Sequence, residues 1–239
     1  MTRCTHLRVI SADISAIMLQ EHLLLDFNER TIGVPSHVTD AIVEHITNVG
    51  LQTYPAYGDL NKLIADYAGV PPSQCMFTNG SDQGIDLIIR ACCPAGTEAI
   101  IPSPTFAMYD QAALTEGLRI VAPHFTREGG FPTQKVLDAI SAQTSIVVLS
   151  NPNNPTGTAI CRDDMTAICR KASHCAVLVD ECYFEFMDPG SSMVKEVSAN
   201  ILSPAPTEHI PALARPTPRT RCAATAPIFN HASLGDIGG

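Results

Sequence analysis

Three short stretches of this 239-residue chain set polar side chains where binding or catalysis could use them. In Thr78-Asn79-Gly80-Ser81-Asp82-Gln83-Gly84, Gly80 frees the backbone for a tight turn into a helix. The N–H groups of Ser81, Asp82 and Gln83 would then face an anion, most naturally a phosphate. Ser and Asp are also what any helix start prefers, so an ordinary N-cap turn fits the same residues. In Asn151-Pro152-Asn153-Asn154-Pro155-Thr156-Gly157, two Asn-Pro steps and a glycine make a rigid turn. That turn is either purely structural or a means of leaving an amide at the edge of a sheet. In Val177-Leu178-Val179-Asp180-Glu181-Cys182-Tyr183, Asp180 ends an apolar strand. A carboxylate there is costly to keep charged without a cationic partner, and a protonated pyridine nitrogen is one. Opposite charges about 4 Å apart are worth roughly 4 kcal/mol at an intermediate dielectric. An Asp capping the next turn is the plainer alternative.

The elements that must position these loops are read from periodicity. Leu23–Phe27 is a short apolar run expected to be extended. Ser36 is expected to cap a helix carrying Val38, Ala41, Ile42, His45, Ile46 and Val49. Asp59 is expected to cap the next, with Leu60, Leu63, Ile64 and Tyr67 on one face and Gly69 stopping it. Then follow a strand at Cys75–Thr78, a helix at Asp82–Cys93, a strand at Glu98–Ile101 and a helix at Met108–Glu116. A strand at Leu118–Ala122, a helix at Thr133–Ser141 and a strand at Ser145–Ser150 come next. A helix at Asp163–Ala172 and a strand at Cys175–Asp180 complete the series. Apolar strands alternating with helices predict a three-layer α/β/α fold with a mostly parallel sheet. All three loops then lie at carboxyl ends of strands, where such sheets bind ligands.

Composition narrows the function. The net charge of −9 argues against a broad nucleic-acid footprint, although backbone N–H groups can still build a local anion site. Nine cysteines in no CxxC pattern suggest reduced thiols and a cytoplasmic protein. Cys169, His174 and Cys175 do not have zinc spacing, and buried thiols are the better reading. The first twenty residues lack the pattern of a cleaved leader, and no run is long enough for a membrane span. No GxGxxG follows a predicted strand, which disfavours a nicotinamide-binding dehydrogenase.

Taken in order, these motifs resemble the fold-type-I aminotransferases that depend on pyridoxal 5′-phosphate, most closely the histidinol-phosphate aminotransferase branch. The resemblance runs from about Leu25 to Val197. It rests on Asn28-Glu29, Tyr54-Pro55, Gly58, Asn79 to Gln83, Ile85 to Ala91, Pro104 to Tyr109, the Asn-Pro loop and Asp180 to Tyr183. It implies that the backbone around Ser81, Asp82 and Gln83 forms the cofactor's phosphate cup. Phe106 would stack on the pyridine ring in place of the usual Tyr, and Asn154 and Tyr183 would hydrogen-bond its phenolic oxygen. Asp180 would keep the pyridine nitrogen protonated, making the ring an electron sink. Tyr54 would reach the phosphate in the partner subunit, which implies a homodimer. The implied substrates are a small-molecule amino donor and a 2-oxo acid, namely histidinol phosphate and 2-oxoglutarate in histidine biosynthesis. Aromatic amino acids or threonine phosphate are the alternatives.

The family's Ser/Thr-x-Ser-Lys segment, whose lysine forms the Schiff base, is not found. Lys195 is the last lysine and Val194 precedes it. After Val197 the pattern stops, and the following stretch carries six prolines and eight alanines. The chain is therefore expected to comprise an N-terminal arm with an opening strand (1–35), a partial cofactor-binding domain (36–197) and a disordered tail (198–239). A reading-frame change near Val197 would account for the break. Without the strands that follow the lysine, inner strands near Phe77 and Val179 are expected to have unpaired edges, and the chain to be inactive.

Overall fold

The computed structural model describes Asn28, residues 33–194 and the backbone of Cys222–Thr225. Leu23–Phe27 lies outside the described residues. The chain separates into two compact units, Met1–Thr53 and Tyr54–Gly239. In the first, helix α1 spans Ser36–Val49 as the periodicity predicts, with no buried residue. Its N-cap is Pro35 rather than Ser36, which is already helical, and no side chain caps it.

The second unit contains helices α2 (Leu60–Ala68) and α3 (Gly80–Cys92), strand β1 (Glu98–Ile100), helix α4 (Ala107–Thr115) and strand β2 (Arg119–Val121). Helix α5 (Thr133–Ala139), strand β3 (Thr144–Ser150), helix α6 (Arg162–Lys171) and strands β4 (Ala176–Asp180) and β5 (Cys222–Thr225) follow. The strands are all parallel, in the order β2-β1-β3-β4-β5. Because successive strand residues face opposite ways, the apolar runs of β3 and β4 feed two cores. Ile146, Val148 and Leu178 pack with Ile85 and Ile89 of α3 and with Tyr109 and Ala113 of α4. Val147, Leu149, Val177 and Val179 pack with Val136 of α5 and with Met165 and Ile168 of α6. The result is the expected α/β/α arrangement. A one-residue slip of β4 would send Leu178 and Val179 to the wrong layers, each burial being worth about 1.5–3 kcal/mol. Register is thereby fixed, and Asp180 is held opposite Ser150.

Three expectations are corrected. Helix α2 ends at Gly69 in the left-handed conformation (φ 69°), but Asp59 caps it only by position, with no side-chain hydrogen bond. Only Ile64 and Ala65 of this helix are buried, while Leu63 is 62% exposed. Helical spacing tells which side chains share a face, not whether anything covers it. Residues 75–78 form no strand. Cys75 is extended (φ −117°, ψ 136°), but a strand needs a paired neighbour, and none of the described strands pairs with this segment. The free edge expected at β4 is occupied, because β5 pairs with it from Val177↔Cys222 to Asp180↔Thr225. A segment read as patternless tail thus supplies a parallel strand, with α3 running alongside it. Four residues are too few for periodicity to reveal them.

Candidate active site

The sheet order places β1 between β2 and β3, so the chain leaves β1 toward one side and β3 toward the other. The carboxyl ends of β1, β3 and β4 therefore open onto a crevice at the switch point. Asp180, only 4% exposed, ends β4 there. Its main-chain carbonyl accepts from Asn151 N–H at 2.8 Å, joining it to the loop after β3. Its Oδ1 accepts from the backbone N–H of Cys182 at 2.9 Å and its Oδ2 from the Tyr109 hydroxyl at 2.6 Å. These two neutral donors stabilise the buried carboxylate charge. Burial, together with the Asp180 charge, pushes the Tyr109 phenol far above its ordinary value, so it remains a donor.

The Asn-Pro loop divides its amides between structure and site. Asn151 is buried, its Oδ1 accepting from Ile160 N–H at 2.9 Å. Asn153 is also buried. It accepts from the Thr105 hydroxyl at 2.6 Å and donates to the Pro104 carbonyl at 3.0 Å and the Thr156 hydroxyl at 2.8 Å. The loop after β1 is thus tied to the loop after β3. Asn154, half-buried, makes no side-chain hydrogen bond to a described residue. Among the described residues it is the one asparagine of the loop whose amide makes no side-chain hydrogen bond.

At the start of α3, Gly80 adopts φ +75° and Gln83 Oε1 accepts from Asn79 N–H at 2.7 Å. This bond, reaching back four residues, gives the N-cap N–H an acceptor and orders the first turn. The N–H groups of Ser81 and Asp82 lie in that turn and have no acceptor within the helix. Cys182 brings the end of β4 to the same place, its thiol reaching the Ser81 side chain. Burial, with the Asp180 and Glu185 charges, pushes that thiol up to about 11.

Phe106 is half-buried at the N-cap of α4, edge-to-face with Tyr109 at 5.9 Å between ring centroids. Tyr183 is half-buried next to the Phe184–Phe186 turn. Ser81, Asp180, Phe106 and their neighbours thus fall into one connected cluster, through Cys182 and Tyr109. Tyr54 does not join it and is fully exposed. The described lysines, Lys62, Lys135 and Lys171, are exposed on helix surfaces.

Two functional features escaped the sequence reading. Tyr109 and Asp180 are 71 residues apart, and the only signal was that Tyr109 lies one turn beyond Phe106. Glu181, 2% exposed, accepts from Met193 N–H at 2.6 Å and the Ser192 hydroxyl at 2.7 Å. It anchors the segment after Pro189–Ser191 to the end of β4, and nothing local in the sequence announces this.

A buried acid at a switch point beside a helix N-terminus and an aromatic ring could hold a planar ring that carries a phosphate and a protonated nitrogen. The chain belongs to the aminotransferase class I and II family, whose model matches residues 20–210. It is 34% identical to the histidinol-phosphate aminotransferase of Brevibacillus brevis over 175 residues, covering 72% of this chain and 47% of that protein. The Pectobacterium atrosepticum enzyme of the same name is 38% identical over 152 residues, covering 59% and 42%. The crystal structure of the Clostridium acetobutylicum histidinol-phosphate aminotransferase superposes with a TM-score of 0.62 at 27% identity, covering 72% and 51%. The chain spans about half the length of the curated relatives it matches. The family depends on pyridoxal phosphate.

Proposed function

We propose that this chain carries the cofactor-binding half of an aminotransferase site of the histidinol-phosphate:2-oxoglutarate type, acting in cytoplasmic histidine biosynthesis as a homodimer. The observation that supports it best is Asp180, a buried carboxylate fixed through both oxygens at the switch point. Pyridoxal phosphate supplies an electron-accepting ring when bound. The residues present fit that group. Asp180 would face the ring nitrogen, Phe106 its face, Asn154 and Tyr183 its phenolic oxygen, and the Ser81–Gln83 turn its phosphate. Tyr54, fully exposed, is free to reach a partner subunit.

The fit stops at the lysine, since none of the four lysines follows a Ser-x-Ser sequence. These 239 residues are therefore expected to hold the cofactor without covalent attachment. Amino transfer should be slower by about 10²–10⁴-fold for want of the positioned acid/base. That same lack favours a second reading, reversible cofactor binding with no catalysis.

Both are tested by incubating the chain with pyridoxal 5′-phosphate, reducing with borohydride and locating any adduct by mass spectrometry. Amino transfer from histidinol phosphate to 2-oxoglutarate is measured in parallel. Saturable binding that Asp180→Asn weakens, with no stoichiometric lysine adduct, is the expected outcome. A stoichiometric adduct on one lysine, with turnover, would favour full catalysis and sink the second reading. Absence of saturable binding would sink both.

A further inference from the structure

We infer that Tyr109 is a positioning residue, whose hydroxyl fixes the Asp180 carboxylate relative to the ring of Phe106 so that one helix sets both contacts to a bound cofactor ring. The inference rests on the cofactor reading above and deepens it. Tyr109 is 1% exposed and its hydroxyl donates to Asp180 Oδ2 at 2.6 Å, short for a bond between two oxygens and typical of a charged acceptor. Ser150 of β3 is paired with Asp180 of β4, so the phenol that bonds Asp180 lies at the ends of two paired strands. Its ring also packs edge-to-face on Phe106, one helical turn back, at 5.9 Å. The ring belongs to the same apolar core layer as Ile85, Ile146 and Leu178. The Cys182 N–H holds one carboxylate oxygen and the Tyr109 hydroxyl the other, and because Tyr109 lies on the helix that Phe106 caps, stacking face and carboxylate keep a fixed spacing.

The test uses pyridoxamine 5′-phosphate, which cannot form an adduct with surface lysines. It is titrated into the full chain and into Tyr109→Phe, Asp180→Asn and the double variant. The dissociation constant is read, and at saturation the circular dichroism induced in the cofactor band, which reports how the ring is held. Tyr109→Phe is expected to weaken binding about tenfold, the worth of one hydrogen bond to a charged group. It is also expected to diminish the induced signal, and to have no further effect once Asp180 is Asn. Unchanged binding and signal, or an equal loss in both backgrounds, overturns the inference. Should Tyr109→Phe fail to fold by far-ultraviolet dichroism, Tyr109→His, which keeps a ring donor, replaces it. Retention of the native signal in that variant supports the inference, and a fall to the Asp180→Asn level overturns it. If the unaltered chain does not bind the probe, the cofactor reading itself fails before any variant is made, and the inference falls with it.

Discussion

Asp180 and Glu181 are adjacent, both buried and both acidic, yet their environments give them different work. Asp180 faces the crevice with its donors arranged around it, whereas Glu181 turns away to hold the Met193 N–H and the Ser192 hydroxyl. Burial raises the Glu181 carboxyl above its ordinary 4.5. Those two donors work against the shift, and the Asp180 and Glu185 charges add to it. As pH rises, the unfolded chain loses this proton first. Stability from this group is therefore fully present below 4.5 and falls as pH climbs through the higher folded value. Glu181→Gln keeps an acceptor for the Met193 N–H and, without the charge, offers an amide N–H to the Ser192 oxygen, which then accepts rather than donates. Urea denaturation across that interval should show a flatter dependence on pH in the variant, and an unchanged slope would refute the assignment. Asp180 could be singled out from the sequence because it ends an apolar strand. The partner of Glu181 lies twelve residues on in a segment with no periodicity, so only the folded chain shows it.

The elements at the site are loops, but they behave as one piece because buried amides join them. Asn153 binds the loop after β1 to its own loop, and Asn151 holds the chain where it departs toward Ile160. Asn151→Ala leaves the Ile160 N–H without its acceptor in a site 1% exposed, and should cost about 1–3 kcal/mol in chemical denaturation. A loss below about 0.5 kcal/mol would mean that the loop repacks. At this scale the sequence was most readable where chemistry and period coincide. The alternation of β3 and β4 and the helical repeat of α3 and α6 are strong because each faces a core. Residues 75–78 have the same apolar character but no partner among the described strands, and periodicity cannot report pairing. The exposed Leu60, Leu63 and Ile46 show the same gap, since amphipathic spacing is written whether or not a covering surface is present.

For the whole molecule, the decisive element is β5. Parallel sheets are stable when flanked, and β4 carries the residue on which the proposed function rests. Proline at both Ala223 and Ala224 removes ladder donors whichever way the strand faces. This double substitution should expose the β4 edge and raise self-association, measured by sedimentation velocity. A monodisperse variant with native denaturation behaviour would show that β5 is dispensable. Its sequence, Cys-Ala-Ala-Thr, has no strand signature, which is why the tail reads as patternless.

The thiols carry a consequence of the two-sided core. Cys93 lies in the layer built with α3 and α4, and Cys169 and Cys175 in the layer built with α5 and α6, while Cys161 is exposed. The native protein therefore carries its own clock for local opening. Under a mild alkylating pulse, Cys161 should be modified at once. The rates at Cys93 and at the Cys169/Cys175 pair then tell whether the two faces of the sheet breathe together or peel away one at a time.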